Sequence, residues 1–422
     1  MVKIVEVKTK KQQKIFVDFP TKLYKDNKNY VPPLRGDELD IFNPKKNVSY
    51  DECDIVFYLA YKDEQVVGRI CGIIQKVYNE KTNTKRIRFS RFDLIDDQEV
   101  ANALLNAVEE WGRSKGMDTI HGPLGFHDLE REGLLIEGFD RLATFEQNHN
   151  APYYKTLLEN YGYAKEIDYL SFRIKLPETT DARVKRIGEM IMKKYNLHIV
   201  KEKTKKVYIN KYKDQIFDLI DEAYGDLYGV IPYNQKLRKQ IIDQFNLIIK
   251  LPYLVSVADE NDKLVAFGFA LPSMAEAVQK CKGRLLPTGV FRILHAVNTC
   301  NVADFGLVAV KKEFQGKGVT AIILDYIVTM AKEVGVDTIE TNLSLENNHK
   351  ILQTWKNFDD VEQHKRFRCF IKSLVKEEVE EKPKRKPKSK TSNSTKKSSK
   401  KATKKTTTTS KKTTNKSKSK IK

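Results

Sequence analysis

Residues 1–8 alternate apolar and polar side chains, as a half-buried strand does. An apolar run at 55–60, the polar turn Lys62-Asp63-Glu64 and a β-branched run at 66–77 then predict a hairpin. A third strand at 86–94 leads into a helix over 97–115, where Asp96-Asp97-Gln98-Glu99 offers a capping carboxylate and Gly116 ends the run. A short strand begins at 119–120, a helix at 153–161 stops at Gly162, and alternation over 167–174 predicts a closing strand.

A linker at 175–181 holding Pro177, and a further stretch to Val200, precede a second half with a similar order. Helical periodicity covers 211–223 and 236–249, and strands at 254–258 and 264–271 flank the polar turn 259–263. A buried strand at 302–310 precedes a helix at 320–333 with Ala321, Leu324, Ile327, Val328 and Ala331 on one face. A strand at 338–345, a helix at 349–358 and a strand at 367–374 complete the half. Between 271 and 301 an insert holds Pro272, Pro287, Gly289 and the apolar cluster 290–297, and no periodicity sets its shape. The expected class is α/β with mixed twisted sheets flanked by helices, divided into domains at 1–175 and 176–375. Residues 376–422 are Lys, Ser and Thr with almost nothing apolar, so they predict a disordered tail.

Charge changes the picture only at that tail. The chain of 422 residues carries +20, but residues 376–422 hold 19 Lys plus Arg against 4 Asp plus Glu, which leaves about +5 for the rest. A basic tail of this kind suits salt-dependent contact with nucleic acid, an anionic membrane surface or ribosomes, or a solubilising role; aromatics for base stacking are missing. Five scattered cysteines without a C-x-x-C pair argue against a disulfide framework or a zinc site, and a reducing cytoplasm is the expected location. No apolar run approaches the roughly 20 residues of a membrane span. The segment from His121 to Asp128 is rich in Gly and His but lacks metal-ligand spacing, and it reads as a loop.

Candidate chemistry concentrates at one turn. Val308-Ala309-Val310 ends a strand, and Gln315-Gly316-Lys317-Gly318 opens a helix, the context in which backbone amides face an anion. A side chain at Gly316 or Gly318 would hold a phosphate away from the backbone, while Lys311, Lys312 and Lys317 raise the potential; an ordinary strand-to-helix turn has the same glycines.

With these residues the chain resembles the Gcn5-related N-acetyltransferase (GNAT) superfamily, whose loop pattern Q/R-x-x-G-x-G/A reads here Gln315-Gly316-Lys317-Gly318-Val319-Thr320. Thr320 departs from the family's small residue. The resemblance covers about residues 207–374 and implies two GNAT-like domains, with acetyl-CoA or another acyl-CoA as co-substrate of the second. It implies that backbone groups of Val308 and Val310 bind the pantetheine arm, that amides from Gly316 to Thr320 bind the pyrophosphate, and that Asn347 lies near the arm, where helix capping is an equal account. Asp304 falls where one branch of the family places a general base; a solvated strand carboxylate is the alternative. Trp355 stands where the family carries an acidic tyrosine, leaving Tyr326 and His349 as other acids, and Cys300 reads as a buried thiol.

The first half lacks the glycine loop, and Asp96, Asp97 and Glu99 would repel a pyrophosphate there, so it is read as a degenerate copy. The expected activity is acetyl transfer from acetyl-CoA to a small-molecule or peptide amine by direct attack. A non-catalytic protein tethered to nucleic acid by its tail, or an aminoacyl transferase using charged tRNA, are the alternatives. Amine, aminoglycoside, peptide and protein lysine make the same demand on the loop, so the acceptor stays open.

Overall fold

The computed structural model of the protein describes residues 1–246 and 248–375, and the Lys-rich tail lies outside them. The first half begins with β1 (Lys3–Glu6), α1 (Lys10–Leu23) and α2 (Arg35–Asp40), then the hairpin of β2 (Cys53–Lys62) and β3 (Gln65–Gln75). It continues through α3 (Lys76–Thr82), β4 (Arg86–Leu94), α4 (Gln98–Ser114), β5 (Thr119–Gly122), β6 (Leu134–Glu137), α5 (Tyr153–Asn160) and β7 (Ala164–Lys175). The second half holds α6 (Ala182–Lys194), β8 (His198–Ile199), α7 (Lys205–Tyr224), α8 (Gln235–Phe245), β9 (Leu254–Ala258) and β10 (Leu264–Pro272). After the short α9 (Ala275–Lys280) and α10 (Gly289–Thr299) come β11 (Val302–Val310), α11 (Val319–Val334), β12 (Thr338–Thr341), β13 (Ser344–Leu345), α12 (His349–Trp355) and β14 (Asp360–Ser373). The insert is thus two helices, and α6 fills part of the stretch the sequence left without a shape. Among the described residues no helix is long and apolar enough to cross a membrane.

Apolar spacing explains which faces are buried. On α4, Val100, Leu104, Leu105 and Val108 recur at three- and four-residue steps and pack with Ile70, Ile87 and Phe89 of the sheet. On α11, Val319, Ile322, Ile323, Ile327 and Met330 do the same against Val255, Val257 and Phe305. α7 and α8 pack with Leu254, Phe267 and Ala309 in a separate cluster.

The strands form one sheet in the order β1-β2-β3-β4-β5-β14-β7-β12-β11-β10-β9-β8. The two closing strands are exchanged: β14, from the end of the chain, pairs with β5, and β7, from the first half, pairs with β12. They also pair antiparallel with each other from Lys175↔Asp360 to Ala164↔Ile371. The sheet therefore runs without a break across the linker at 175–181. The sequence marks strands at 167–174 and 367–374, but β14 already starts at Asp360, and pairing partners are set by tertiary contacts that local pattern does not carry.

In each half a parallel pair opens partway. β4 pairs with β5 only over Arg86–Arg88, and β11 with β12 only over Val302–Phe305. At Gly306 the β10–β11 register shifts by one residue, a bulge that bends β11 away from β12. Residues 306–310 are left with an edge that no strand covers.

Candidate functional site

The loop at the end of that open edge has the backbone of an anion cradle. Gly316 and Gly318 take φ of 75° and 86°, in the left-handed region where a side chain is strained, and nothing lies within 4 Å of a Cβ added at Gly316. Gly318 caps α11 without a side-chain acceptor, and none of the described residues accepts from the amides of Gly316, Gly318, Val319 or Thr320. These N–H groups sit at the positive end of a 16-residue helix. Lys317 lies over the rings of Phe314 and Tyr195 at 5.4 and 5.6 Å, and Lys350, which the sequence reading did not single out, reaches Gln315 Oε1 at 2.9 Å.

Along the open edge, the polar groups of Val308 and Val310 meet side chains. Tyr224 of α7 donates its hydroxyl to the Val308 carbonyl at 2.8 Å and accepts from the Val308 amide at 3.3 Å. Gln315 Nε2 donates to the Val310 carbonyl at 3.0 Å. Asn347 is exposed at the turn into α12, whose cap is the neighbouring Asn348. Trp355 is only 4% exposed, packs edge-on against Phe305 at 5.5 Å, and its indole N–H has no acceptor among the described residues. Of the other candidate acids, Tyr326 donates to the Pro252 carbonyl at 3.3 Å and His349 is exposed at the start of α12. Cys300, expected as a buried thiol, is half-buried, with Sγ accepting from the Val302 amide at 3.3 Å, and burial raises its thiol.

Carboxyls gather where β11 and β12 part. Asp304, the last polar side chain before the bulge, has an Oδ1 shut off from solvent with no partner among the described residues. Burial pushes its carboxyl well above the ordinary range; Glu340 and Glu146 add to this, while Ser273 and Lys365 oppose it. Glu146 comes from the loop between β6 and α5, and burial raises it to about 7 against the pull of Arg131. Next to it, Gln147 donates to Ser171 Oγ at 3.0 Å and to the Thr341 carbonyl at 3.3 Å, fixing that loop at the last paired residue of β12. Lys365, 1% exposed, donates to Gln147 Oε1 at 2.9 Å and lies 3.4 Å from Glu340, which also pairs with Arg173. Burial lowers the Lys365 ammonium, with Glu340 opposing. Ser171 and Arg173 belong to β7 and Lys365 to β14, so the exchanged strands carry this network. Sequence reasoning missed Glu146, Gln147 and Lys365, since nothing in their local spacing marks them.

A cavity of about 890 Å³ opens beside Glu146. Ile241, Phe245, Ile248, Met274, Val278 and Ile293 form an apolar wall, and Glu38, Arg69, Arg91 and Arg131 a charged one beside His149, whose imidazole burial lowers to about 4. The charged side is internally paired: Arg91 meets Glu38 at 3.0 Å and Arg69 meets Asp93 at 2.7 Å. His121 lies elsewhere, buried on β5 with Nδ1 2.8 Å from the Tyr228 hydroxyl, and burial lowers it to about 4. Among the described residues no group of three His, Cys, Asp or Glu is placed to hold a metal ion.

The whole architecture matches a tandem GNAT protein from the clavulanic acid biosynthesis pathway, with TM-score 0.52 at 11% identity over 89% of this chain and 99% of that one. The chain has the tandem GNAT fold. A glucosamine N-acetyltransferase region of a fungal multi-domain GH3 β-N-acetylglucosaminidase aligns with the chain at TM-score 0.51 and 12% identity, over 88% of this chain and 38% of that one. By sequence the chain is 26% identical over 375 residues to protein YghO of Escherichia coli K12, covering 86% of this chain and 94% of that protein. It is also 26% identical over 396 residues to a bacterial ceramide synthase of Caulobacter vibrioides, covering 88% and 97%. No protein-family model matches the sequence.

Proposed function

We propose that the protein is an N-acyltransferase that joins the acyl group of an acyl-CoA to a long-chain amine. The observation that carries this reading is the single opening between β11 and β12, which has an amide-lined loop at one end and, at the other, raised carboxyls beside a half-apolar cavity. The likeness to a bacterial ceramide synthase favours an amine of lipid character, since a ceramide is a fatty amide of a long-chain amino alcohol. The cavity, with an apolar wall facing a polar one, suits such an amphiphile, and its size lies in the range of about 300–1,000 Å³ for small-molecule sites.

The four free amides and Lys317 fit the pyrophosphate, with Lys350 beside them. The Val308 and Val310 edge fits the pantetheine arm once Tyr224 and Gln315 release it. The bound thioester supplies the activated acyl group. An amine enters as the ammonium, with a pKa near 10.4 for a lysine-like group, and must lose a proton before it attacks. Glu146, with a pKa of about 7 and a place in the cavity wall, takes that proton, while Asp304 is kept neutral by burial. Attack forms the amide C–N bond and breaks the thioester C–S bond, and CoA leaves as the thiol with the second proton of the amine. Trp355, buried against Phe305, stands where the resemblance puts a tyrosine acid and supplies no proton.

The test incubates full-length protein with acetyl-CoA or a long-chain acyl-CoA and a long-chain amino alcohol or a short soluble amine, with the amide product read by mass spectrometry. A long-chain amide supports the reading, and product from the short amine alone limits the site to small acceptors. No amide from any pair overturns it.

A further inference from the structure

Leu286 is 80% exposed, Phe291 70% and Leu294 37%. Apart from the terminal Met1, no large apolar side chain among the described residues is more exposed than the first two. All three lie at the start and on the outer face of α10. The inner face of the same segment is the reverse: Ile293 and Val297 are buried against Met274, Ala277 and Val278, and Leu285 and Ile293 line the large cavity. One helix therefore separates the cavity from an apolar patch on the surface.

Cations surround that patch. Lys282, Arg284 and Arg292 are exposed on the same segment; among the described residues Lys282 and Arg292 have no acidic partner, and Arg284 has only Asp18 at 3.8 Å. Gln279 of α9 donates to the carbonyls of Lys28 and Tyr30, which brings exposed Lys28 alongside. The acid on α9, Glu276, is taken by Lys280 at 3.0 Å. Apolar side chains at the centre and uncompensated cations at the rim match a phospholipid surface, which is apolar below its head groups and anionic at them.

We propose that the outer face of α10 docks the protein on an anionic phospholipid bilayer, so that a long-chain amine passes from the bilayer into the cavity beneath this helix. Docking stands on the patch alone; the passage of the amine rests on the acceptor reading above. A second copy of the chain on the same face is the competing occupant.

The experiment uses full-length Phe291→Trp with vesicles of phosphatidylethanolamine and phosphatidylglycerol whose acyl chains carry bromine. Salt is set near 0.15 M, where the rim cations still act over a Debye length of about 8 Å, and attraction of the Lys-rich tail alone does not bury an indole at position 291. Wild-type emission from Trp111 and Trp355 gives the background. Docking predicts a blue shift and quenching of the added indole, and about tenfold weaker vesicle partition for Phe291→Glu, which removes one apolar anchor. A bound protein whose added indole stays water-like and unquenched overturns the proposal, as does a dimer that Phe291→Glu dissociates without any effect on vesicles. Acyl transfer to the long-chain amine in detergent micelles separates the two readings. If micellar transfer fails while quenching is seen, the acceptor reading falls and docking stands. If micellar transfer is equal in wild type and Phe291→Glu but only wild type acts on vesicles, both stand.

Discussion

In the first half β4 leaves β5 after Arg88, and in the second half β11 leaves β12 after Phe305, yet the two openings are filled differently. At the start of α4, Asp97 accepts the amides of Glu99 and Val100 at 2.9 and 3.4 Å, and Lys62 balances the carboxylate at 2.7 Å. At the start of α11, Gly318 supplies no side chain and the amides stay free. The edge of β4 is closed as well: Leu94 gives its amide to the Tyr154 hydroxyl at 2.8 Å, and its carbonyl accepts from Tyr153 at 2.6 Å and Tyr154 at 3.0 Å. On β11 a single tyrosine, Tyr224, holds Val308. The same strand geometry thus presents either a self-capped helix or an open positive end, and the residue at the cap decides which.

Four substitutions sharpen this contrast, in order of expected effect. Glu146→Gln removes the raised carboxyl at the open cleft and lowers kcat about 10²–10⁴-fold. Its sign with pH is fixed: a carboxyl raised to about 7 is a base only above that pH, so wild-type kcat climbs toward pH 7 and levels off, and the variant loses this limb. Steady-state rates across pH check it.

Lys365→Met removes the buried cation from Glu340, which keeps Arg173, and leaves Gln147 Oε1 without its donor, costing about 1–3 kcal/mol of stability. Because Lys365 sits on an exchanged strand, thermal unfolding should fall for the sheet as one transition.

Glu132, buried between Asp128 and Tyr169 near the junction of the halves, is raised by burial to about 8 from 4.5. A carboxyl with a higher pKa folded than unfolded makes the folded state lose stability as pH rises from about 4.5 to 8. Glu132→Gln should remove a slope on the order of a few kcal/mol across that window, read from denaturant unfolding.

Tyr224→Phe frees the Val308 edge and should tighten acyl-CoA binding by a few fold, about the worth of one hydrogen bond near 1 kcal/mol.

Much of this contrast is legible in sequence. The glycines of 315–320 and the carboxylates of 96–99 mark the two helix starts, and strand 302–310 is set by an apolar run broken only at Asp304 and Gly306. Both hairpins and the helices at 98–114 and 319–334 follow from periodicity of 2.0 and 3.6. The strand exchange is not legible, because β7 and β14 alternate alike and nothing local chooses their neighbours. For the same reason Glu146 and Lys365, 219 positions apart, do not announce that they share a site. α10 escaped because its apolar residues lie on both faces, so no single stripe emerges.

The account stands or falls on whether the open helix end of the second half takes the pyrophosphate. Calorimetric titration of the full-length protein with acyl-CoA, beside Gly316→Glu, tests it most directly: a Cβ at Gly316 meets nothing within 4 Å, so the variant brings a carboxylate into the loop of free amides. Micromolar binding in the wild type, abolished in a variant that stays folded by circular dichroism, is the predicted result; equal binding by both proteins, or binding by neither, contradicts the account.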